Sequence, residues 1–382
     1  MSESPDHSAP FSTRPHNQPL SLASVWECDT PQQADDILGG RQGGYVYRRD
    51  GHPNADALVA ECCRLHGVER GIAVAAGMSA IAAAVLAVAE SGDHVLLSNR
   101  VYGKTGYLLG QEFSRLGVQS STVDMRDLAA TKAAIRKNTR LVIVETIANP
   151  LLEVADIAGL AELTHRSGAL LLVDNTFATP YVCRPAELGA DLVMESLTKM
   201  MNGHSDVILG FLGGSSEIWS RVPKVVSAWG FCSSPMDCWL ALRGLGTMSL
   251  RMKQACDNAQ QVAEFLVSRS EVERVDYPGL PAHAQHELAK QQFGGRYGSV
   301  VSFQLRGGRA ASEKFITAAR RIPFCPSLGE LQTTLSHPES TSHRLMTTAD
   351  REALGISGGT IRLSVGIEQA EEVVTAITEG LA

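Results

Sequence analysis

Short apolar runs alternate with amphipathic segments along most of the chain. The amphipathic segments have helical spacing, as in residues 156–166, whereas the apolar runs are of strand length. A regular alternation of strand and helix is typical of a mostly parallel sheet with helices on both faces, so an α/β fold is predicted. The predicted strands include residues 94–98, 119–123, 141–145, 169–174 and 191–196.

The pattern changes at both ends of this region. Residues 1–20 are rich in Ser, Pro, His and Asn, a composition that is typical of a mobile terminal tail. A long amphipathic pattern over 235–269 predicts a helix that joins the sheet to a smaller region of alternating strand and helix. We therefore expect an N-terminal tail and arm (1–50), a large domain (51–250) and a smaller α/β C-terminal domain (251–382).

Two finer expectations concern local structure. Asn54 is expected to cap a helix that carries Leu58, Cys62 and Leu65 on one face. The apolar segment 207–214 is expected to run antiparallel at the far side of the sheet.

Polar side chains follow two of the predicted strands at the point where each strand ends. Asp174 ends one apolar run, and Ser196, Thr198 and Lys199 end the next. The carboxyl ends of strands in open α/β sheets form ligand sites, so these residues are expected to meet. A lysine, hydroxyls that hold an anion and a facing acid together suit pyridoxal 5′-phosphate (PLP): the lysine forms a Schiff base, and the acid keeps the ring nitrogen protonated.

Composition and the absence of certain motifs argue against several other classes of protein. The 382 residues carry 34 basic and 41 acidic side chains, a formal net charge of −7 that argues against a nucleic-acid surface. The chain has neither an apolar segment of membrane-spanning length nor a signal-peptide pattern, so a cytoplasmic location is expected. The eight cysteines form no Cys-x-x-Cys pair, which indicates reduced thiols, and no metal site is expected. Neither a P-loop nor a dinucleotide fingerprint is present.

The segment around the lysine resembles that of a known family. Ser-Leu-Thr-Lys…Asn-Gly-His-Ser-Asp, over residues 196–206, is similar to the lysine signature of the Cys/Met-metabolism PLP enzymes. These include cystathionine γ-synthases and γ-lyases, methionine γ-lyases and O-acylhomoserine sulfhydrylases. The likeness extends from about residue 45 to the C-terminus. It implies a fold-type I PLP fold in which Lys199 binds the cofactor and also acts as catalyst.

The resemblance also implies roles for residues of the large domain. Gly77 and Met78 would form the second wall of a phosphate cup with Ser196 and Thr198; a tight turn before a packed helix is the plain alternative for Gly77. Tyr102 would stack on the PLP ring and assist catalysis. The list of cofactor-binding residues is completed by Asn149, at the 3′-oxygen, and by Thr176, beside Asp174.

Further roles lie outside that domain. By resemblance, Arg362 binds the substrate carboxylate, with the backbone of Ser327 facing the same group. Tyr47 and Arg49 would reach into a neighbouring subunit and hold its PLP phosphate. The resemblance therefore implies a homodimer at least, and a homotetramer by analogy, acting on a small amino-acid substrate, with no nucleic-acid or membrane partner.

The sequence leaves the substrate and the exact reaction open. Val46, Tyr107 and Lys104 each stand where particular subgroups of the family place a different residue. The first hypothesis is γ-elimination or γ-replacement on sulfur amino acids derived from homoserine, and the second is a cystathionine or cysteine β-lyase. Departures at Arg48, His52 and Gln332 motivate a third, a PLP-binding protein without catalysis.

Overall fold

The structure is a computed structural model that describes residues 15–214, 217–344 and 346–382. Within these ranges the strands form two sheets. The strands are β1 (Arg70–Val74), β2 (His94–Ser98), β3 (Gln119–Val123), β4 (Thr139–Glu145), β5 (Leu170–Asp174), β6 (Leu192–Ser196), β7 (Gly210–Gly214), β8 (Val272–Asp276), β9 (Val300–Leu305), β10 (Thr334–Ser336) and β11 (Thr360–Ser364).

Helices separate most of these strands, and short 3₁₀ turns and one π-helical segment (Leu108–Phe113) add to them. The helices are α1 (Pro31–Leu38), α2 (Pro53–His66), α3 (Gly77–Val88), α4 (Gly103–Tyr107), α5 (Leu128–Ala134), α6 (Ile157–Arg166), α7 (Thr179–Val182), α8 (Val222–Trp229), α9 (Pro235–Leu245), α10 (Met248–Val267), α11 (His286–Phe293), α12 (Gly308–Ala318), α13 (Thr348–Ala353) and α14 (Ala370–Leu381). None of the helices in the described ranges is long and apolar enough to cross a bilayer.

The larger sheet has the strand order β1-β7-β6-β5-β4-β2-β3, and β2 to β6 are parallel to one another. The prediction of a mostly parallel sheet is therefore confirmed. The strand predicted at 207–214 is antiparallel as expected, but its position at the far side is wrong, since β1 pairs outside it. Every residue of β7 is buried, and an edge position would leave one of its backbone edges unpaired.

Two apolar cores lie on opposite faces of this sheet. Helices α3 and α8 cover one face, where the alanines of α3 are small enough to let the helix lie close to the strands. The other face packs against α2, α6 and α9 and continues into the core of the second sheet. A sheet buried on both faces holds its strand ends rigidly, and this rigidity is what a site at those ends requires.

The smaller sheet is antiparallel, in the order β10-β11-β9-β8, and α10 packs on β8 and β9. The single helix predicted over 235–269 is wrong: α9 ends at Leu245, and α10 begins at Met248. Gly246 and Thr247, both poor helix formers, lie at the break. The boundary predicted near residue 250 falls in the first turn of α10, and the division into domains stays a prediction.

The cap predicted for α2 is wrong by two residues. His52 occupies the N-cap position, where its Nδ1 accepts a hydrogen bond from the Ala55 amide at 3.1 Å. Pro53 then takes the first helical position, which needs no N–H donor. Asn54 instead fastens the N-terminal arm, accepting from the Ser21 amide at 2.9 Å and donating to the Pro19 carbonyl at 2.8 Å.

Candidate active site

A cavity of about 740 Å³ opens at the carboxyl ends of the parallel strands. Strands β4, β5 and β6 end there with Glu145, Asp174 and Ser196. All the predicted site residues except Tyr47 and Arg49 line it: Gly77, Met78, Tyr102, Asn149, Asp174, Thr176, Ser196, Thr198, Lys199, Ser327 and Arg362.

Lys199 lies in the turn that follows β6. Its backbone amide donates to the Ser196 carbonyl at 3.0 Å, and its Nζ donates to Ser327 Oγ at 2.9 Å. Burial lowers the pKa of Lys199; the carboxyl of Glu330 opposes this effect, whereas the nearby charge of Arg362 adds to it. A lower pKa favours the neutral amine, which is the form that attacks a carbonyl carbon or accepts a proton.

Two carboxyl groups lie side by side at the ends of neighbouring strands. Asp174 and Glu145 are register partners on β5 and β4, and both line the cavity. Burial raises the pKa of Asp174, an effect that hydrogen bonds from Thr176 oppose; the Thr176 amide donates to Asp174 Oδ1 at 3.0 Å. A buried carboxylate is stabilised by a cation, and a protonated pyridine nitrogen is a cation of suitable size.

Glu145 is a site residue that was not predicted from the sequence. Its carboxyl accepts from the amides of Tyr102, at 2.5 Å, and Asn149, at 3.3 Å, so it supports both of these predicted cofactor ligands. Burial, followed by the charge of Asp174, raises the pKa of Glu145 well above its usual range. The signal was present in the sequence, because residues 141–145 end in an acid just as 169–174 do.

The wall predicted to hold a phosphate is built of closely packed backbone. Helix α3 begins at Gly77, and no side chain caps its first amides. A Cβ added to Gly77 would lie 3.0 Å from the Cβ of Ser196, so a larger residue would crowd the cup. Thr176 Oγ1 accepts from the Ser196 amide at 3.0 Å and fixes that side of it. Free amides at a helix N-terminus next to hydroxyls suit a phosphate.

Thr198 makes a more specific contact than the sequence predicted. Its Oγ1 donates to the Leu209 carbonyl at 3.3 Å and accepts from the Leu209 amide at 3.0 Å. The hydroxyl therefore joins the lysine turn to the start of β7, while the residue still lines the cavity.

Arg362 is a buried cation held by neutral groups. Its Nη1 donates to Asn149 Oδ1 at 2.7 Å and its Nη2 to the Ser327 carbonyl at 2.9 Å, and its guanidinium lies 5.9 Å from the centre of the Phe177 ring. Its buried Nε has no hydrogen-bond partner among the described residues. Burial lowers the pKa of Arg362 to about 10, so the side chain remains charged at neutral pH and fits a carboxylate.

Two predicted residues lie away from the cavity of their own chain. The guanidinium of Arg49 stacks 5.0 Å from the centre of the Tyr47 ring, and the Tyr47 side chain is 43% exposed. Neither residue lines the cavity. Their role in a neighbouring subunit stays a prediction.

A further residue missed by the sequence analysis supports the lysine turn from behind. Arg251 is buried on α10, and its guanidinium donates to the carbonyls of Met200 at 2.8 Å, Met201 at 2.9 Å and Gly244 at 2.9 Å. The first two of these bonds fix the peptide units 200–201 and 201–202, just after Lys199. An arginine in the middle of the amphipathic pattern over 235–269 gives no sequence signal for this contact.

The chain is similar to known proteins over nearly its whole length. The model of the family described as "Cys/Met metabolism PLP-dependent enzyme" matches residues 4–382. The chain is 39% identical to an L-methionine gamma-lyase of Porphyromonas gingivalis, over 95% of this chain and 92% of that protein. It is 40% identical to an O-succinylhomoserine sulfhydrylase of Pseudomonas aeruginosa, with coverages of 96% and 91%.

A β-lyase and proteins of known structure are also similar to the chain. A cystathionine beta-lyase of Bacillus subtilis is 39% identical, over 87% of this chain and 84% of that protein. The crystal structure assigned to an O-acetylhomoserine (thiol)-lyase from Campylobacter jejuni superimposes with a TM-score of 0.91 at 25% identity, over 96% of this chain and 95% of that one. That structure contains a pyridoxyl-lysine phosphate at one of its lysines.

Proposed function

The chain belongs to the Cys/Met metabolism PLP-dependent enzymes, and from this membership we propose that it catalyses γ-elimination or γ-replacement on a homoserine-derived amino acid. It is an enzyme of fold-type I that uses PLP for carbon–sulfur chemistry. The third hypothesis of the sequence analysis, a PLP-binding protein without catalysis, is therefore not retained.

The residues of the cavity fit PLP. Lys199 would hold it covalently, Asp174 would face the ring nitrogen and Tyr102 the ring, while Gly77 and Ser196 would surround the phosphate together with Met78, Thr176 and Thr198; Asn149 would approach the 3′-oxygen. Bound PLP supplies an electron sink that stabilises negative charge at the α-carbon of the substrate.

One observation supports the proposed reaction most directly: Lys199 and Arg362 both donate a hydrogen bond to Ser327. Lys199 Nζ donates to the Ser327 hydroxyl, and Arg362 Nη2 donates to the Ser327 carbonyl. An amino acid whose carboxylate is bound by Arg362 would therefore place its α-carbon near the Lys199 amine. Once displaced from the cofactor, that amine can remove the proton from Cα and afterwards act at Cβ on the same face, so that the γ-substituent leaves.

The products of turnover distinguish this proposal from β-lyase activity, the alternative that the Bacillus subtilis relative supports. We expect 2-oxobutyrate from methionine or cystathionine, or a thioether from an O-acylhomoserine with a thiol, because the γ-bond breaks. The holoenzyme is incubated with each amino acid, and products are identified by mass spectrometry. Pyruvate as the main product from cystathionine would instead support the β-lyase.

A homodimer at least, with a homotetramer by analogy, and a cytoplasmic location are part of the proposal. The dimer is supported by Tyr47 and Arg49, which lie outside the cavity of their own chain, although by resemblance they bind phosphate. If they act in trans, an Arg49→Ala subunit and a Lys199→Ala subunit would each lack a different part of the site. A mixed dimer of the two then contains one site with neither substitution.

We expect each variant alone to be nearly inactive. If equal amounts of the two variants pair at random into dimers, the reassembled mixture should recover about a quarter of the wild-type activity. The mixture is unfolded and refolded together, and separately refolded proteins combined afterwards serve as control. If co-refolding restores no activity while each protein regains its native sedimentation coefficient, Arg49 acts within its own subunit and the proposed arrangement is wrong.

A further inference from the structure

The cavity contains two cations that the proposed chemistry leaves unused. Lys104 and Arg344 line it along with Lys199 and Arg362. Lys199 is assigned to the cofactor and Arg362 to the α-carboxylate of the substrate. The predicted phosphate cup is built around Gly77 and Ser196, so it does not include the additional pair.

The two additional cations come from adjoining segments. Lys104 lies in the first turn of α4, and Arg344 follows the 3₁₀ turn Pro338–Ser340. The segments touch, since a Cβ added to Gly103 would lie 3.6 Å from the Ser342 carbonyl oxygen. The lysine and the arginine therefore belong to one wall of the cavity, which we call the α4 wall.

Among the described residues, no carboxylate neutralises this wall. Both side chains are exposed; the guanidinium of Arg344 makes no hydrogen bond or ion pair with the described residues, and the Nζ of Lys104 lies 5.7 Å from the centre of the Tyr107 ring without a carboxylate partner among them. The cavity acids, Glu145 and Asp174, are instead buried at the strand ends. An uncompensated positive wall attracts anions and disfavours neutral or cationic groups.

We propose that the α4 wall binds a negatively charged γ-substituent, so that the enzyme prefers homoserine esters with a second anionic end over neutral thioethers. This inference rests on the proposed function. A half-ester of a dicarboxylic acid and a phosphate ester share the required chemistry. In the reaction the Cγ–O bond breaks and the acid leaves with both bonding electrons; a thiol sulfur then bonds to Cγ and gives up its proton.

Binding without turnover tests the wall directly. L-2-Aminosuberate has a terminal carboxylate where L-2-aminooctanoate, a chain of equal length, has a methyl group, and neither has a leaving group at Cγ. We expect the holoenzyme to bind aminosuberate about tenfold more tightly, measured by the change in its visible absorbance. In the double variant Lys104→Gln/Arg344→Gln this preference should disappear, whereas Lys132→Gln, which removes an exposed lysine on α5, should retain it. Equal affinities in the wild-type enzyme would overturn the proposal.

Turnover measurements identify which anionic ester group the α4 wall prefers. The ratio of kcat/KM is compared for O-succinyl-, O-phospho- and O-acetylhomoserine with a thiol, in the wild type and in the double variant. We expect one anionic ester to exceed the acetyl ester by about tenfold, and the double variant to lose this ratio. Preference for the succinyl or the phospho ester identifies the group; a higher value for the acetyl ester, or a ratio that survives in the double variant, overturns the inference.

The two proposals fail in different ways. If no γ-substituted substrate is turned over, the proposed function is wrong, while the affinity ratio for aminosuberate and aminooctanoate still decides whether the wall binds an anion. Visible absorbance from bound cofactor in each variant shows that the double substitution has not unfolded the site.

Discussion

Lys199→Ala is expected to lower kcat by at least about ten-thousandfold and to remove the covalent link to PLP. The amine is the group proposed both to bind the cofactor and to move the α-proton, and its pKa is lowered by burial, which keeps more of it neutral. Turnover is measured with methionine and with an O-acylhomoserine. The link is measured by borohydride reduction followed by mass spectrometry of the peptide that contains residue 199.

Lys253→Ala is a matched control, because Lys253 is an exposed lysine that pairs with Asp257 on α10, away from the cavity. It should retain turnover, visible absorbance and the reducible link. Substantial activity in Lys199→Ala, or a reduced pyridoxyl group on another lysine, would show that the central assignment of the site is wrong.

Asp174→Asn is expected to reduce kcat by about a hundredfold or more, since an amide of the same shape no longer stabilises a positive charge on the ring nitrogen. The amide can still accept the hydrogen bond from the Thr176 backbone, so the fold should be little changed. The measurement is kcat at saturating substrate and PLP, together with the visible spectrum of the bound cofactor.

Glu145→Gln separates the two acids that end adjacent strands. Glu145 accepts a hydrogen bond from the Tyr102 amide at one carboxyl oxygen and from the Asn149 amide at the other, and the single oxygen of a glutamine can retain the shorter bond, to Tyr102. We expect a loss of kcat below about tenfold, because its role is to position those residues. If Glu145→Gln were the more damaging substitution, the acid that faces the ring would be Glu145 rather than Asp174.

The central part of the site could be predicted from the sequence because it depends on where strands end. An apolar run that finishes in Asp174, and another that leads to Lys199, place both residues at one edge of a parallel sheet. The same rule applies to Glu145, which the sequence analysis passed over. The strands themselves were predicted closely, since runs such as 94–98 and 119–123 match β2 and β3.

Other features depend on contacts that have no local pattern. The sequence predicted Asn54 as the cap of α2, whereas the folded chain uses His52, on the other side of Pro53, and Asn54 binds the N-terminal arm. Likewise, the break between α9 and α10 lets Arg251 reach the peptide units behind Lys199.

The order of apolar and polar residues was enough to specify the fold class, the edge of the sheet where chemistry occurs and the lysine and acid placed there. These properties follow from periodicity and from the ends of single strands, which are local along the chain. Only the folded molecule shows that Arg362 binds Ser327 and Asn149, and that Lys104 and Arg344 lie on one wall of the cavity. Arg362 and Asn149, like Lys104 and Arg344, are more than two hundred positions apart, and their geometry is set by how the two sheets pack rather than by any neighbouring residue.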